Sequence, residues 1–176
     1  MTDMICLDGL RRVARSFRRA VEDGKNAEAR EDMSFASLFG GMALANAGLG
    51  AVHGFAGPIG GMFSAPHGEI CAALLADVTA MNLWALKERD RESYALHRYF
   101  GVARLLTGKE YATANDLVEW VRKLVSDFKI PRLGAHGIKP GHIDEIVKNA
   151  MNASSMKANP IKLTEEELAE ILRRAL

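Results

Sequence analysis

Apolar residues recur every three or four positions from Met4 and Ile5 through Leu7, Leu10, Val13, Ala14, Phe17 and Ala20 to Val21, which predicts an amphipathic helix opening the chain. Asp23-Gly24 supplies its stop, a glycine just past a helix end. A second helix is predicted from about Glu28 to Leu44, apolar on nearly all sides toward its end and so destined for an interior. The stretch NAGLGAVHGFAGPIGGMF follows, where glycine is so frequent that the pattern withholds a helix but permits a close approach of backbone or ligand.

Residues 69–86 carry Ile70, Cys71, Leu74, Leu75, Val78, Met81, Leu83 and Trp84 and predict a buried helix. Residues 93–106 predict the next, with Tyr94, Leu96, Tyr99, Phe100, Val102 and Leu105 inward. Thr113 caps a helix holding Leu117, Val118, Trp120, Val121, Leu124, Val125 and Phe128, and Ile130-Pro131 ends it. Ile143 to Met151 forms a further helix, and Thr164-Glu165-Glu166-Glu167 is a capping box ahead of Leu168, Ile171 and Leu172. Alternating apolar and polar runs of strand length are missing, and no repeat recurs at solenoid periods. The expected fold is all-α, a bundle of about seven helices forming one domain over residues 1–176.

Composition narrows the partners. Lys+Arg 23 against Asp+Glu 22 gives a net charge of +1, too balanced to argue for nucleic acid or an anionic membrane surface. Arg11, Arg12, Arg15, Arg18 and Arg19 fall at helical spacing and read as a solvated face. Apolar runs are broken by Gly, Asp or His short of a bilayer's thickness, so no membrane span is expected. Cys6 and Cys71 lie in apolar surroundings without a metal-type spacing, which fits buried free thiols and a cytoplasmic location.

Two histidines carry the candidate chemistry. His53 follows the glycine-rich stretch and His67 sits in a Pro-His-Gly corner fourteen positions later, neither with obvious access to water. A buried imidazole needs partners for both ring nitrogens; a divalent metal is one such partner and a backbone carbonyl is another. Spacing alone leaves both open, because the short patterns that put ligands on one helical turn are missing. His97 reads as a surface or boundary residue, and His136 and His142 as polar members of a turn-rich segment. Glu69 reads as a first-turn charge favoured by the helix dipole and Asp77 as a boundary charge. Ser64 lacks a nucleophile elbow, Cys71 lacks an adjacent base, and Gly48-Leu49-Gly50 with Gly54 has the wrong spacing for a dinucleotide loop.

The stretch from Met33 to Asn82, with MALANAGLGAVHGFAGPIGGMFSAPHGEICAALLADVTAMN inside it, closely resembles the signature of the iron-containing alcohol dehydrogenases, in their C-terminal α-helical domain of dehydroquinate synthase-like type. LTEEELAEIL resembles that domain's final capped helix, so the likeness covers nearly the whole chain. The resemblance implies a divalent metal, Fe²⁺ or else Zn²⁺, held by one Asp and three His, with His53 and His67 matching the two later ligands. The other two are expected on an Asp-x-x-x-His helix preceding this chain. The family carries a further His near the nicotinamide four residues after the first of these two, where this chain has Gly57.

Four expectations follow from the resemblance. The chain contributes the metal to NAD(P)-dependent alcohol/aldehyde interconversion, while NAD(P) is bound by an N-terminal nucleotide-binding domain encoded separately or lost. Alone, it is expected to be inactive. A homo-oligomer is expected, since a missing partner domain bares apolar surface. The alternatives are a stand-alone helical association module that has lost catalysis, or a domain of a maleylacetate reductase-like or glycerol dehydrogenase-like relative.

Overall fold

The computed structural model describes residues 1–176 and contains eight α-helices, three short 3₁₀ turns and no strand. In chain order the helices are α1 (Thr2–Glu22), α2 (Ala27–Ala47), α3 (Ala51–Met62), α4 (His67–Arg89), α5 (Tyr94–Thr107), α6 (Ala114–Asp127), α7 (Ile143–Asn152) and α8 (Glu165–Ala175). The all-α expectation holds, with eight helices where the pattern predicts about seven. The chain forms two compact units, one comprising Met1–Gly48 with His97–Leu117 and the other Leu49–Leu96 with Val118–Leu176.

In the first unit α1 and α2 pack along each other. They approach closely at Gly9, where a Cβ would meet the Phe39 Cβ at 3.5 Å. The buried middle of this hairpin is polar. Asp32 is 3% exposed and accepts hydrogen bonds from Arg12 Nη1 at 3.0 Å, from Arg15 Nε and Nη2 at 2.6 Å, and from the buried Ser16 hydroxyl. These donors hold the Asp32 carboxyl far below the ordinary carboxylate range, the Arg15 hydrogen bond contributing most and the Ser16 hydroxyl next. Arg12 also lies 4.4 Å from the centre of the Phe35 ring, a cation–π placement. Arg12, its side chain 22% exposed, therefore departs from the solvated face read from its spacing, whereas Arg15 stays exposed on that face while its guanidinium reaches Asp32. Periodicity locates a polar stripe but does not reveal that a buried acid stands across from it.

The second unit is built around α3, α4, α7 and α8, with α3 against α4 and α7, and α8 against α4 and α7. Phe55, Ile59, Ile70, Leu74, Leu133, Ile146, Ile171 and Leu172 are fully buried and meet in one apolar cluster. The glycine-rich stretch is helical, a departure from the sequence reading, and α3 even holds Pro58 in its interior. Propensity loses here to burial: each fully buried Phe or Ile contributes about 1.5–3 kcal/mol, and α3 inserts Phe55 and Ile59 together with the small Ala51 and Ala56. Gly54 serves the packing, since a Cβ there would stand 2.6 Å from Met156 Cε and 3.3 Å from Met156 Cβ. Asn159 closes the same corner, its Oδ1 accepting from the Ala51 backbone N–H at 3.0 Å while its Nδ2 donates to Asn82 Oδ1 and to the Ile161 carbonyl, each at 2.7 Å.

The capping box of α8 forms as predicted: Glu167 N–H donates to Thr164 Oγ1 at 3.2 Å and Thr164 N–H to Glu167 Oε2 at 2.7 Å. Tyr94, expected inward, is 68% exposed at the first position of α5. The apolar α4 reaches the length and hydropathy of a bilayer-crossing helix, which the broken apolar runs did not predict. Ten of its residues, Ile70, Leu74 and Leu86 among them, are buried within the protein, as in a core helix.

Candidate metal centre

The corner between α3 and α4 brings the two singled-out histidines together. His53 stands in the first turn of α3, and the chain leaves that helix at Met62, crosses Phe63–Pro66 and begins α4 at His67. Pro66 at the N-cap, extended at φ −61° and ψ 131°, sets the entry of α4. The ring centroids of His53 and His67 lie 5.4 Å apart with their planes inclined by 47°. His53 is half-buried and His67 exposed, so the expectation that neither ring meets water is corrected for His67: a helix's first residue has no preceding turn to cover it.

A third donor joins them. Cys71, one helical turn beyond His67, has its Sγ 3.5 Å from His67 Nε2. One potential ligand atom from each of His53, His67 and Cys71 lies within 4.8 Å of the others. The sequence context of Cys71 predicts a buried thiol with no base beside it, whereas the thiol is half-buried and an imidazole nitrogen faces it. The missed signal is the His-x-x-x-Cys spacing, which places both residues on one face once α4 is known to start at His67.

Electrostatics favour neutral donors. Burial, and secondarily the His67 ring, push the His53 imidazole below its ordinary pKa, so its lone pair stays free around neutral pH. Burial also pushes the Cys71 thiol up. Two imidazoles and a thiol gathered at one corner suit a borderline-soft divalent cation. The residues present thus fit the metal that the sequence resemblance implies.

The remaining candidates do other work. His136 Nε2 is buried 3.3 Å from Glu69 Oε2, near enough for an ion pair but not aligned for a hydrogen bond. His142 Nδ1 accepts from the Lys139 backbone N–H at 3.1 Å, and its ring lies 5.1 Å from that of Phe63. His97 is exposed on α5, and Asp77 pairs with Arg122 at 3.2 Å. Gly50 and Gly54 face Asn159 and Met156, so they serve packing. Gly57, one turn after His53, is exposed, and a Cβ there would meet nothing within 4 Å.

All 176 residues match the model of the Fe-containing alcohol dehydrogenase family, C-terminal. The chain belongs to the Fe-containing alcohol dehydrogenase family. Among its relatives, alcohol dehydrogenase 4 of Schizosaccharomyces pombe is 36% identical over 177 residues, an alignment taking in 100% of this chain and 40% of the relative. The 1,3-propanediol dehydrogenase of Citrobacter freundii is 35% identical over 177 residues, covering 99% of this chain and 44% of that protein. The crystal structure of a 1,3-propanediol oxidoreductase superposes with a TM-score of 0.89 at 32% identity, over 99% of this chain and 45% of the other. An alcohol dehydrogenase from Oenococcus oeni gives 0.85 at 33% identity, again over 99% and 45%. The chain therefore spans less than half the length of these relatives, corresponding to their C-terminal part. Membership of this family implies a divalent metal, typically iron, with NAD(P) in the full-length enzymes.

Proposed function

We propose that this chain furnishes the metal-holding helical part of an NAD(P)-dependent alcohol/aldehyde oxidoreductase, with His53 and His67 as two of the metal's ligands. The observation that carries the reading is the pair of imidazole rings 5.4 Å apart at the α3–α4 corner of a family member. The substrate class rests on the relatives, one named for 1,3-propanediol and others simply as alcohol dehydrogenases. A divalent cation bound there supplies Lewis acidity toward an alcohol or carbonyl oxygen. The protein's own part is to keep the His53 ring neutral by burial and to fix both rings on helices anchored in the apolar cluster.

These 176 residues form no strand and hence no strand–glycine loop–helix unit for a dinucleotide, which supports the reading that NAD(P) is held by protein outside them and that this chain is inactive on its own. Gly57 leaves open space one turn beyond His53, where the resemblance places a further family histidine, and a proton must there be carried by solvent or by another group.

Metal analysis tests the reading. The 176-residue chain, equilibrated anaerobically with one equivalent of Fe²⁺ and then gel-filtered, is expected to retain the metal, and the His53→Ala/His67→Ala variant to lose it. Equal retention by both would refute the site. Alcohol-dependent NAD reduction by the purified chain would refute the division of labour.

A further inference from the structure

The Cys71 thiol is not used by the reading above, yet it faces the same point as the two rings. We propose that Cys71 is a third metal donor from this chain, so that residues 53–71 present a two-nitrogen, one-sulfur ligand set; this rests on His53 and His67 holding a metal.

Three observations support it. Cys71 Sγ lies 3.5 Å from His67 Nε2, and two donors bound tetrahedrally to one Zn²⁺ at the usual metal–sulfur and metal–nitrogen lengths stand about 3.6 Å apart. His53 contributes a donor to the same cluster, so one atom from each of the three residues lies within 4.8 Å of the other two. Both cysteines are free, and Cys71 packs one flank on the apolar cluster, which fixes the thiol on the side of α4 that carries His67.

The chemical consequence is a change of preference. Three protein donors with one position left open is the arrangement of catalytic zinc sites, and a thiolate donor favours Zn²⁺ and Co²⁺ over the harder, oxygen-seeking cations. The thiol releases its proton to solvent as the sulfur–metal bond forms. The chain thus needs no carboxylate from elsewhere to complete a three-donor site.

Anaerobic titration of the 176-residue chain with Co²⁺ separates the possibilities, because a cobalt–thiolate bond adds an intense near-ultraviolet charge-transfer band to the visible bands that any bound Co²⁺ shows. The wild type is expected to develop both sets in parallel, saturating at one equivalent, and Cys6→Ser to behave identically. In Cys71→Ser and Cys71→Asp the charge-transfer band should vanish while visible bands persist, with affinity for Co²⁺ reduced at least about tenfold in the serine variant. Circular dichroism confirms that both variants remain helical. Visible bands in the wild type without the charge-transfer band, or unchanged affinity in Cys71→Ser, would show that sulfur is not a donor while leaving the histidine pair intact. A charge-transfer band that survives His53→Ala/His67→Ala would place the thiolate in a different site. No uptake of Co²⁺ by the wild type would remove both the third donor and the histidine site.

Discussion

A carboxylate occupies the centre of the α1–α2 hairpin, whereas Phe55, Ile59, Leu74 and Ile171 occupy the centre of the unit built on α3, α4, α7 and α8. In the hairpin, Met4, Val21, Leu38, Met42 and Leu44 are exposed and the buried positions of both helices are small or polar: Gly9, Ser16, Ala29 and Asp32. In the other unit, large aliphatic and aromatic side chains are sealed from water, and the buried polar residues are few: Thr79, Asn82 and Glu167. The lesson is that the candidate metal donors stand on the part whose geometry is fixed by shape. The hairpin, held by directional charge-assisted bonds, depends on protonation state and tolerates no loss of an acceptor.

The largest test of this contrast is Phe55→Ala, which empties a fully buried site and is expected to cost about 3–5 kcal/mol, read as a fall in the urea midpoint. Because Phe55 and His53 share α3, the same change should weaken retention of metal, and a variant that unfolds more easily yet binds Fe²⁺ as well as wild type would break the link between core and site. Next is Asp32→Asn, which replaces a charged acceptor of four hydrogen bonds and should destabilise the hairpin by about 2 kcal/mol. Amide exchange should quicken in α1 and α2 while α3 and α4 keep their protection. If exchange quickens equally in all four helices, the two units do not differ in the way their interiors imply.

Acid sharpens the same comparison. The folded-state pKa of Asp32 is depressed, so its stabilisation is fully present above the ordinary carboxylate value of about 4 and is lost as pH falls from there toward the depressed value. Protection of α1 and α2 should therefore decline over that window in wild type, and the Asp32→Asn variant should show a flatter profile.

Gly54→Ala has a smaller expected effect, about 1.5 kcal/mol, because the new methyl would crowd Met156 from Cε to Cβ. In a Met156→Ala background the sign should reverse, since alanine is the better helix former once the space is open. A double-mutant cycle on thermal unfolding measures this, and additive effects would show that the two residues do not touch. Smallest is Thr164→Ala, expected to cost about 1 kcal/mol by freeing one side of the α8 capping box, again read from thermal unfolding.

Seven of the eight helices were legible in the periodicity of apolar residues, and the start of α8 in its capping box, because these signals are local. α3 was not, since its glycines and Pro58 are individually unfavourable and only the buried fit of Phe55 and Ile59 makes the segment helical. His53 and His67 could be picked out by type and by the likeness of their surroundings to a family signature. Their mutual distance could not, because it depends on the turn between α3 and α4. Cys71 escaped for a related reason: its partnership with His67 depends on where α4 begins. The Arg12–Arg15–Asp32 cluster was hidden because it joins residues from two helices whose register no single periodic pattern encodes.

Asn159 joins the N-terminus of α3 to Asn82 of α4, and the residue that follows it is Pro160. Spontaneous deamidation of an asparagine proceeds by attack of the next residue's backbone nitrogen on the side-chain amide, and proline has no N–H with which to complete that ring closure. Were Asn159 to become aspartate, a negative oxygen would face the Asn82 carbonyl oxygen and the Ile161 carbonyl in place of two donated hydrogen bonds. Sequence order thus protects the clasp against chemical ageing, and the corner that carries His53 is shielded from the slow covalent damage that would otherwise loosen it over a protein's lifetime.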